Sequence, residues 1–190
     1  MTVEEFQNIM PIANIASVLE HGILSNHLAA DLPHNSVALE DVQDKRSAVK
    51  IPRGLALHQY ANVYFHARNP MMSRRRGAAE RLCVLRVSPK ILQIPGAVIT
   101  DQNAASKYVR FLAPEALGKL DLDYIYAVNW KHPDDQIEEW RHSSAKCAEA
   151  LIPGNITPDF LLGAYVVNES ARVSLESTGF ELPITIHADL

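Results

Sequence analysis

The chain has 190 residues, 47% of them apolar and 21% charged, with a net charge of −4, which suits one globular domain over residues 1–190 with a sizeable core. No run approaches about 18 uncharged apolar residues, so no membrane span is expected, and the acidic start Met1-Thr2-Val3-Glu4-Glu5-Phe6 lacks the basic and then greasy pattern of a secretory leader. A cytoplasmic monomer is the expectation. Cys83 and Cys147 form no metal-type cluster and, in a reducing compartment, no structural disulfide, and the negative net charge leaves any polyanion partner to a local basic patch.

In chain order, Pro11 to Gly22 reads as a short amphipathic helix. Ile12, Ile15, Ala16 and Leu19 recur at helical spacing and Gly22 supplies the left-handed stop. Residues 25 to 36 read as loop. Residues 39 to 49 carry mixed charge with Arg46 as the one guanidinium, which by itself reads as a surface ion-pair partner. Leu57 to Met72 then crowds aromatic, His and amide side chains into a strand around Val63 to Phe65. Faces to stack on and edges to hydrogen-bond suit a flat polar ligand, and a core strand with a polar lead-in is the competing reading.

Arg68, Arg74, Arg75, Arg76, Arg81, Arg86 and Lys90 gather seven of the chain's 18 basic residues between positions 68 and 90, opposed only by Glu80. In an acidic protein this reads as a phosphate-contacting loop between two strands, with a solvated arginine-rich loop as the alternative. Leu82 to Val87 is a predicted strand, and Thr100 to Ala105 a helix start with Asp101 as its N-cap. Residues 118 to 132 are ambiguous, although Leu120, Leu122, Ile125 and Trp130 need a core. Pro133-Asp134-Asp135 opens a helix with acids in its first turn, where the macrodipole favours them. Ile137, Trp140, Ser144 and Cys147 share one side of it, and it delivers the chain to Glu149.

Glu149 lies in Cys147-Ala148-Glu149-Ala150-Leu151-Ile152, an apolar run stopped by Pro153-Gly154. A carboxylate between two alanines at the edge of a buried strand leaves room for a ligand and is a candidate catalytic acid, against the plainer reading of a solvated Glu. After Pro158, Leu161 to Val167 reads as a buried strand, Glu169 to Thr178 as a helix closed by Gly179, and Ile184 to Ala188 as a last strand. The irregular spacing and the lack of a Gly-rich phosphate loop argue against a Rossmann or P-loop protein.

Five pieces in the same order resemble the DarT family of NAD-dependent DNA ADP-ribosyltransferase toxins from about residue 7 to 187. Asn14-Ile15-Ala16-Ser17-Val18-Leu19-Glu20-His21-Gly22-Ile23-Leu24 is similar to that family's N-L-x-S-I-L-x-x-G-L-L opening, and Lys45-Arg46 to its K/R-R. Leu57-His58-Gln59-Tyr60 with Tyr64-Phe65 and Asn69-Pro70-Met71-Met72 is similar to L-H-D-Y-V-P-F-Y-F followed by S-P-M-L. Thr100-Asp101-Gln102-Asn103-Ala104 and Ala148-Glu149-Ala150-Leu151-Ile152 are similar to T-D-G-N-A and A-E-x-L-V.

The resemblance implies an α+β ADP-ribosyltransferase fold, two small sheets forming an NAD cleft flanked by helices. It implies Glu149 and Arg46 as catalytic residues, and Asn8, Asn14, Gly22, Leu24, Arg46, His58, Tyr60 and Tyr64 around NAD, which is a substrate with no metal required. It implies Arg68, Met71, Met72, Arg74, Arg75, Arg76 and Asn103 on nucleic acid. The implied reaction moves ADP-ribose onto thymidine or guanosine of single-stranded DNA, and a macrodomain antitoxin of the DarG type reverses it. Asn8 stands where relatives often carry His or Arg, Gln59 replaces Asp, Ala61-Asn62 replaces Val-Pro, and His66 and Arg68 differ from many relatives. These changes bear on the target, so transfer to RNA or protein and a degenerate binding module are the alternatives. Retention of both Arg46 and Glu149 speaks against the last.

Overall fold

The amino-terminal stretch, which carries no periodic signal, folds as a strand, β1 (Phe6–Pro11), and four of its residues, Phe6 to Ile9, are buried in succession. Strands covered on both faces lose the alternation that marks a half-buried strand. In the computed structural model, which describes residues 2–35 and 40–189, a 3-10 turn leads into α1 (Ile15–His21), β2 (Ile23–Leu24), α2 (Asn26–Ala29) and α3 (Glu40–Ser47). Next come β3 (Tyr60–Tyr64), α4 (Pro70–Arg74), β4 (Leu82–Val87), β5 (Val98–Thr100), β6 (Phe111–Leu112), α5 (Leu122–Tyr126) and α6 (Gln136–Ala145). The chain closes with β7 (Glu149–Pro153), β8 (Asn155–Ile156), β9 (Leu161–Val166), α7 (Glu169–Glu176) and β10 (Ile184–Ile186).

The class is α+β, but the strands are not dealt into two separate small sheets. Among the described residues, eight form one sheet in the order β10-β9-β4-β1-β3-β7-β5-β6, and β2 pairs β8 alone. Within the large sheet, β1 pairs β4 from Phe6↔Val87 to Pro11↔Leu82, whereas β1 and β3 share only Gln7↔Tyr64. Two four-stranded halves therefore meet at one bridge and part beyond it. Gln7 reinforces the junction through Oε1, which accepts from Ala67 N at 2.7 Å. One residue on, Asn8 Nδ2 donates to Asn62 O at 3.0 Å, a side chain standing where a main-chain rung would continue.

The core fills both faces. Ala150, Leu151 and Ile152 of the central β7 have no exposed surface, which explains the continuous apolar run. At the carboxyl end, α7 buries Ala171 and Leu175 and is capped by Asn168, whose Oδ1 accepts from Ala171 N.

Several expectations change. Residues 25–35 contain α2, started by Ser25, whose Oγ accepts from Leu28 N at 3.3 Å; residue 36 and position 39 of the charged segment lie outside the described residues. Asp101 caps no helix: β5 runs up to it, and its carboxylate accepts from Arg110 N and Nε at 2.9 and 2.6 Å. The basic segment between β3 and β4 is α4 followed by 3-10 turns over Arg76–Arg81. Of the residues that share one side of α6, Ile137 and Trp140 are 59% and 65% exposed, Ser144 is half-buried and Cys147, just beyond the helix, is buried, while His142 and Ala145 turn into the core. Trp130 is half-buried.

Gly22 ends α1 at φ +80°, and a Cβ built there lies 2.1 Å from Ile156 O of β8. Gly22→Ala forces both a left-handed alanine and a parting of β2 from β8. We expect a loss of at least about 2 kcal/mol, read as a lower urea midpoint at unchanged m value.

Candidate active site

Glu149 opens β7 opposite Tyr64 of β3. Because side chains alternate along a strand, Ala148 and Ala150 enter the main core while Glu149 points to the other face. The small flanks thus pack the core instead of clearing space for a ligand. Glu149 N donates to Thr100 Oγ1 at 2.9 Å, and Oε1 accepts from Ala104 N at 3.0 Å in the turn after β5. On the approach to β7, the fully buried Lys146 ties the end of α6 to the end of α5, donating from Nζ to Ile125 O and Ala127 O at 2.8 and 2.9 Å. Burial, first, brings its pKa down to about 8.

Arg46, in the last turn of α3, is 7% exposed and forks onto Glu149, with Nη1 to Oε1 at 2.9 Å and Nη2 to Oε2 at 3.1 Å. It is a buried partner, not the surface ion pair its neighbourhood in sequence suggests. Burial opposes the guanidinium charge, and the Glu149 carboxylate outweighs that and raises its pKa. Burial, then the Glu149 charge, raises Tyr64 and pushes the Cys147 thiol up to about 12. Both neighbours therefore stay neutral beside the pair.

Two cavities adjoin where the half-sheets part, sharing Asn8, Ile9 and Asn62 in their walls. The larger, of about 480 Å³, takes in Arg46, Tyr64, Met71, Arg74, Arg75 and Asn103, a size in the usual range for small-molecule sites. The smaller, of about 190 Å³, takes in Asn14, Gly22 and Leu24. Asn8 is 8% exposed, and its Oδ1 is buried with no hydrogen-bond partner among the described residues. An orphaned acceptor at a shared cavity wall fits a ligand donor. Asn14 lines the smaller cavity with its amide engaged: Nδ2 donates to Asn35 O at 2.8 Å and Oδ1 accepts from Asn35 N at 2.9 Å, holding the segment before residue 36 against the cavity.

The remaining candidates lie off the cavity walls. Tyr60 is 4% exposed, its hydroxyl accepting from Leu55 N. The pKa of His58 is lowered by burial and then by the charge of Arg46. Met72 is 3% exposed and packs with Ile9, Ala67 and Leu82 in the core, since α4 turns Met71 and not Met72 toward the cavity. Arg68 and Arg76 line neither cavity. Sequence reasoning missed Thr100 Oγ1 and Ala104 N–H as holders of Glu149, and Ser143 and Ser144 as wall residues. A backbone donor such as Ala104 N–H has no side-chain signature in the sequence, whereas the threonine and the two serines do carry polar groups.

Chemically, a buried carboxylate behind a guanidinium at a cavity wall suits stabilisation of a developing cation next to an anion site. Among the described residues no group of three or more His, Cys, Asp or Glu is placed to hold a metal ion, and no helix is long and apolar enough to cross a membrane.

The family model described as "ssDNA thymidine ADP-ribosyltransferase, DarT" matches residues 8–189. A DNA ADP-ribosyl transferase–DNA ADP-ribosyl glycohydrolase fusion protein of Thermosipho africanus is 28% identical over 184 residues, covering 90% of this chain and 45% of the fusion. A DNA ADP-ribosyl transferase of Thermus sp. is 28% identical over 144 residues, covering 70% of this chain and 69% of the relative. The chain thus spans under half of the fusion's length. The solved structure of Thermus sp. 2.9 DarT in complex with ADP-ribosylated ssDNA superposes with a TM-score of 0.82 at 22% identity over 98% of this chain and 95% of that one. Its complex with NAD+ gives 0.79 at 21% over 100% and 98%. These superpositions establish a common fold.

Proposed function

The chain belongs to the DarT family of ssDNA thymidine ADP-ribosyltransferases, and from that premise we propose that it transfers ADP-ribose from NAD to a base of single-stranded DNA, releasing nicotinamide. The observation that carries this reading is the Arg46–Glu149 pair, drawn together across 103 positions of sequence to the wall of the larger cavity.

NAD, as substrate, spans the two cavities. Asn14, Gly22 and Leu24 form its bed in the smaller one, the free Asn8 Oδ1 accepts a hydroxyl or amide proton of the ligand, and Arg46 takes its pyrophosphate. Glu149 has no exposed surface while Arg46 covers it. Turning the guanidinium onto phosphate releases Oε2, whereas Oε1 keeps Ala104 N–H. Substrate arrival thereby uncovers the carboxylate.

As the bond from ribose C1′ to nicotinamide breaks, its electron pair leaves with nicotinamide and the ribose gains cationic character, which the carboxylate stabilises. A base nitrogen bonds to C1′, and its proton passes to Glu149. The target is thymidine, as in the family's description, with guanosine second. Met71, Arg74, Arg75 and Asn103 hold the target nucleotide, and its base must be unstacked to enter. The fused glycohydrolase of the Thermosipho relative supports a toxin of the cytoplasm reversed by a macrodomain partner.

Incubation with labelled NAD and separate pools of single-stranded DNA, RNA and cell protein tests the reading: label enters the DNA pool, and label confined to RNA or protein refutes it. The joint change of Arg74, Arg75 and Arg76 to Ala weakens DNA binding and flattens its salt dependence, by about one unit of slope or less for each phosphate no longer neutralised. An unchanged slope returns these residues to a solvated surface.

A further inference from the structure

The exposed stripe of α6 runs into the larger cavity. Ile137, Trp140, Arg141 and Ser144 recur at helical spacing, and Ser144 with Ser143 lines the cavity wall. Across the wall, Asn103 N donates to Ser144 O at 2.9 Å and ties on the loop that carries Ser106, also in the wall, and Tyr108 two residues further. Tyr108 is 78% and Trp140 65% exposed. Cations accompany both segments: Lys107 Nζ lies 5.9 Å from the Tyr108 ring centroid, and Arg141, which follows Trp140 in sequence, has a side chain 74% exposed. Of the acids of α6, Glu139 accepts from Lys131 Nζ at 2.8 Å, while Glu138 accepts from the Tyr124 hydroxyl at 2.6 Å and lies 4.0 Å from Arg141 Nη1, an exposed pair that holds the guanidinium only loosely.

Two exposed aromatic rings, that of Tyr108 beside a cation, on segments continuous with a cavity that also holds Arg74 and Arg75, mark an interaction surface for an anionic, planar partner. We propose that Tyr108 and Trp140 are a stacking platform for the nucleotides that flank the target base, with Lys107 and Arg141 on the strand's phosphates. The proposal rests on the nucleic-acid reading above. A single strand offers open base faces to such rings, whereas a duplex hides them, and stacking of this kind tolerates any base. The platform lengthens the interface along the strand without choosing the target.

The test compares wild type, Tyr108→Ala/Trp140→Ala and Tyr108→Phe/Trp140→Phe as full chains. Each is assayed for transfer to a trinucleotide and to an oligonucleotide of about 12 nucleotides, a length such platforms cover. The Ala pair loses about tenfold or more in kcat/KM on the long substrate, keeps its rate on the trinucleotide, and regains most of the loss as the Phe pair. Trp140 fluorescence is quenched by the long oligonucleotide. Equal loss on both lengths means a structural role and overturns the platform, as does no loss on either, the outcome expected if the face serves a protein partner. A wild type that labels RNA or protein but no DNA refutes the functional reading itself, and the platform with it.

Discussion

Glu149→Gln cuts transfer by about 10² or more, the usual loss when a preorganised charge is deleted, while NAD binding stays within a few-fold. Gln keeps the shape and an acceptor for Ala104 N–H, so the backbone of the site is held. It loses the charge that offsets cationic ribose and the base that takes the proton. The defect falls in kcat, since the carboxylate acts most as the ribose becomes positive. Binding itself has reason to hold or tighten, because Arg46 no longer leaves an ion pair to reach phosphate. In a cell where the wild type arrests growth, the Gln variant is tolerated. Binding lost together with transfer makes Glu149 structural. Transfer above a tenth of wild type places the carboxylate elsewhere, with Glu138, Glu139 and Asp101 the next to test.

Arg46→Ala destabilises the fold by about 3–5 kcal/mol, the cost of leaving a buried charge without its partner. Glu149 then keeps Ala104 N–H against a carboxylate with no exposed surface. Arg46→Met with Glu149→Leu recovers most of that stability with no activity, since a well-packed apolar pair often matches a buried ion pair. Urea melts of the two single variants and the double variant give the coupling directly. Arg46→Lys keeps the charge without the fork and falls between. A single Arg46→Ala variant as stable as wild type removes the buried pair from the account.

What the sequence disclosed follows how local each determinant is. The stop at Gly22, the strand at Leu82–Val87 and the helix leading to Glu149 rest on spacing and turn chemistry, and all three stand in the structure. β1 was invisible because burial of both faces erased its alternation. The spacing of Ile137 and Trp140 puts them on one side of α6 but does not say which side is buried, and it is His142 and Ala145 that turn inward. Arg46 looked like a surface residue among the charges of α3, and only the distant Glu149 explains its burial. The fold resemblance came from ordered short motifs, yet those motifs mix site and scaffold: Met71 faces the cavity while Met72 beside it fills the core.

The proposed reaction releases one nicotinamide for each ADP-ribose placed on a DNA base by way of Glu149. Quantifying released nicotinamide and covalent adduct together, on single-stranded oligonucleotides each containing one target base, tests it most directly. Equal amounts of the two are expected on the thymidine oligonucleotide, and about a hundredth of each or less with Glu149→Gln. Nicotinamide released without any DNA adduct, or adduct formed at the wild-type rate by Glu149→Gln, would contradict it.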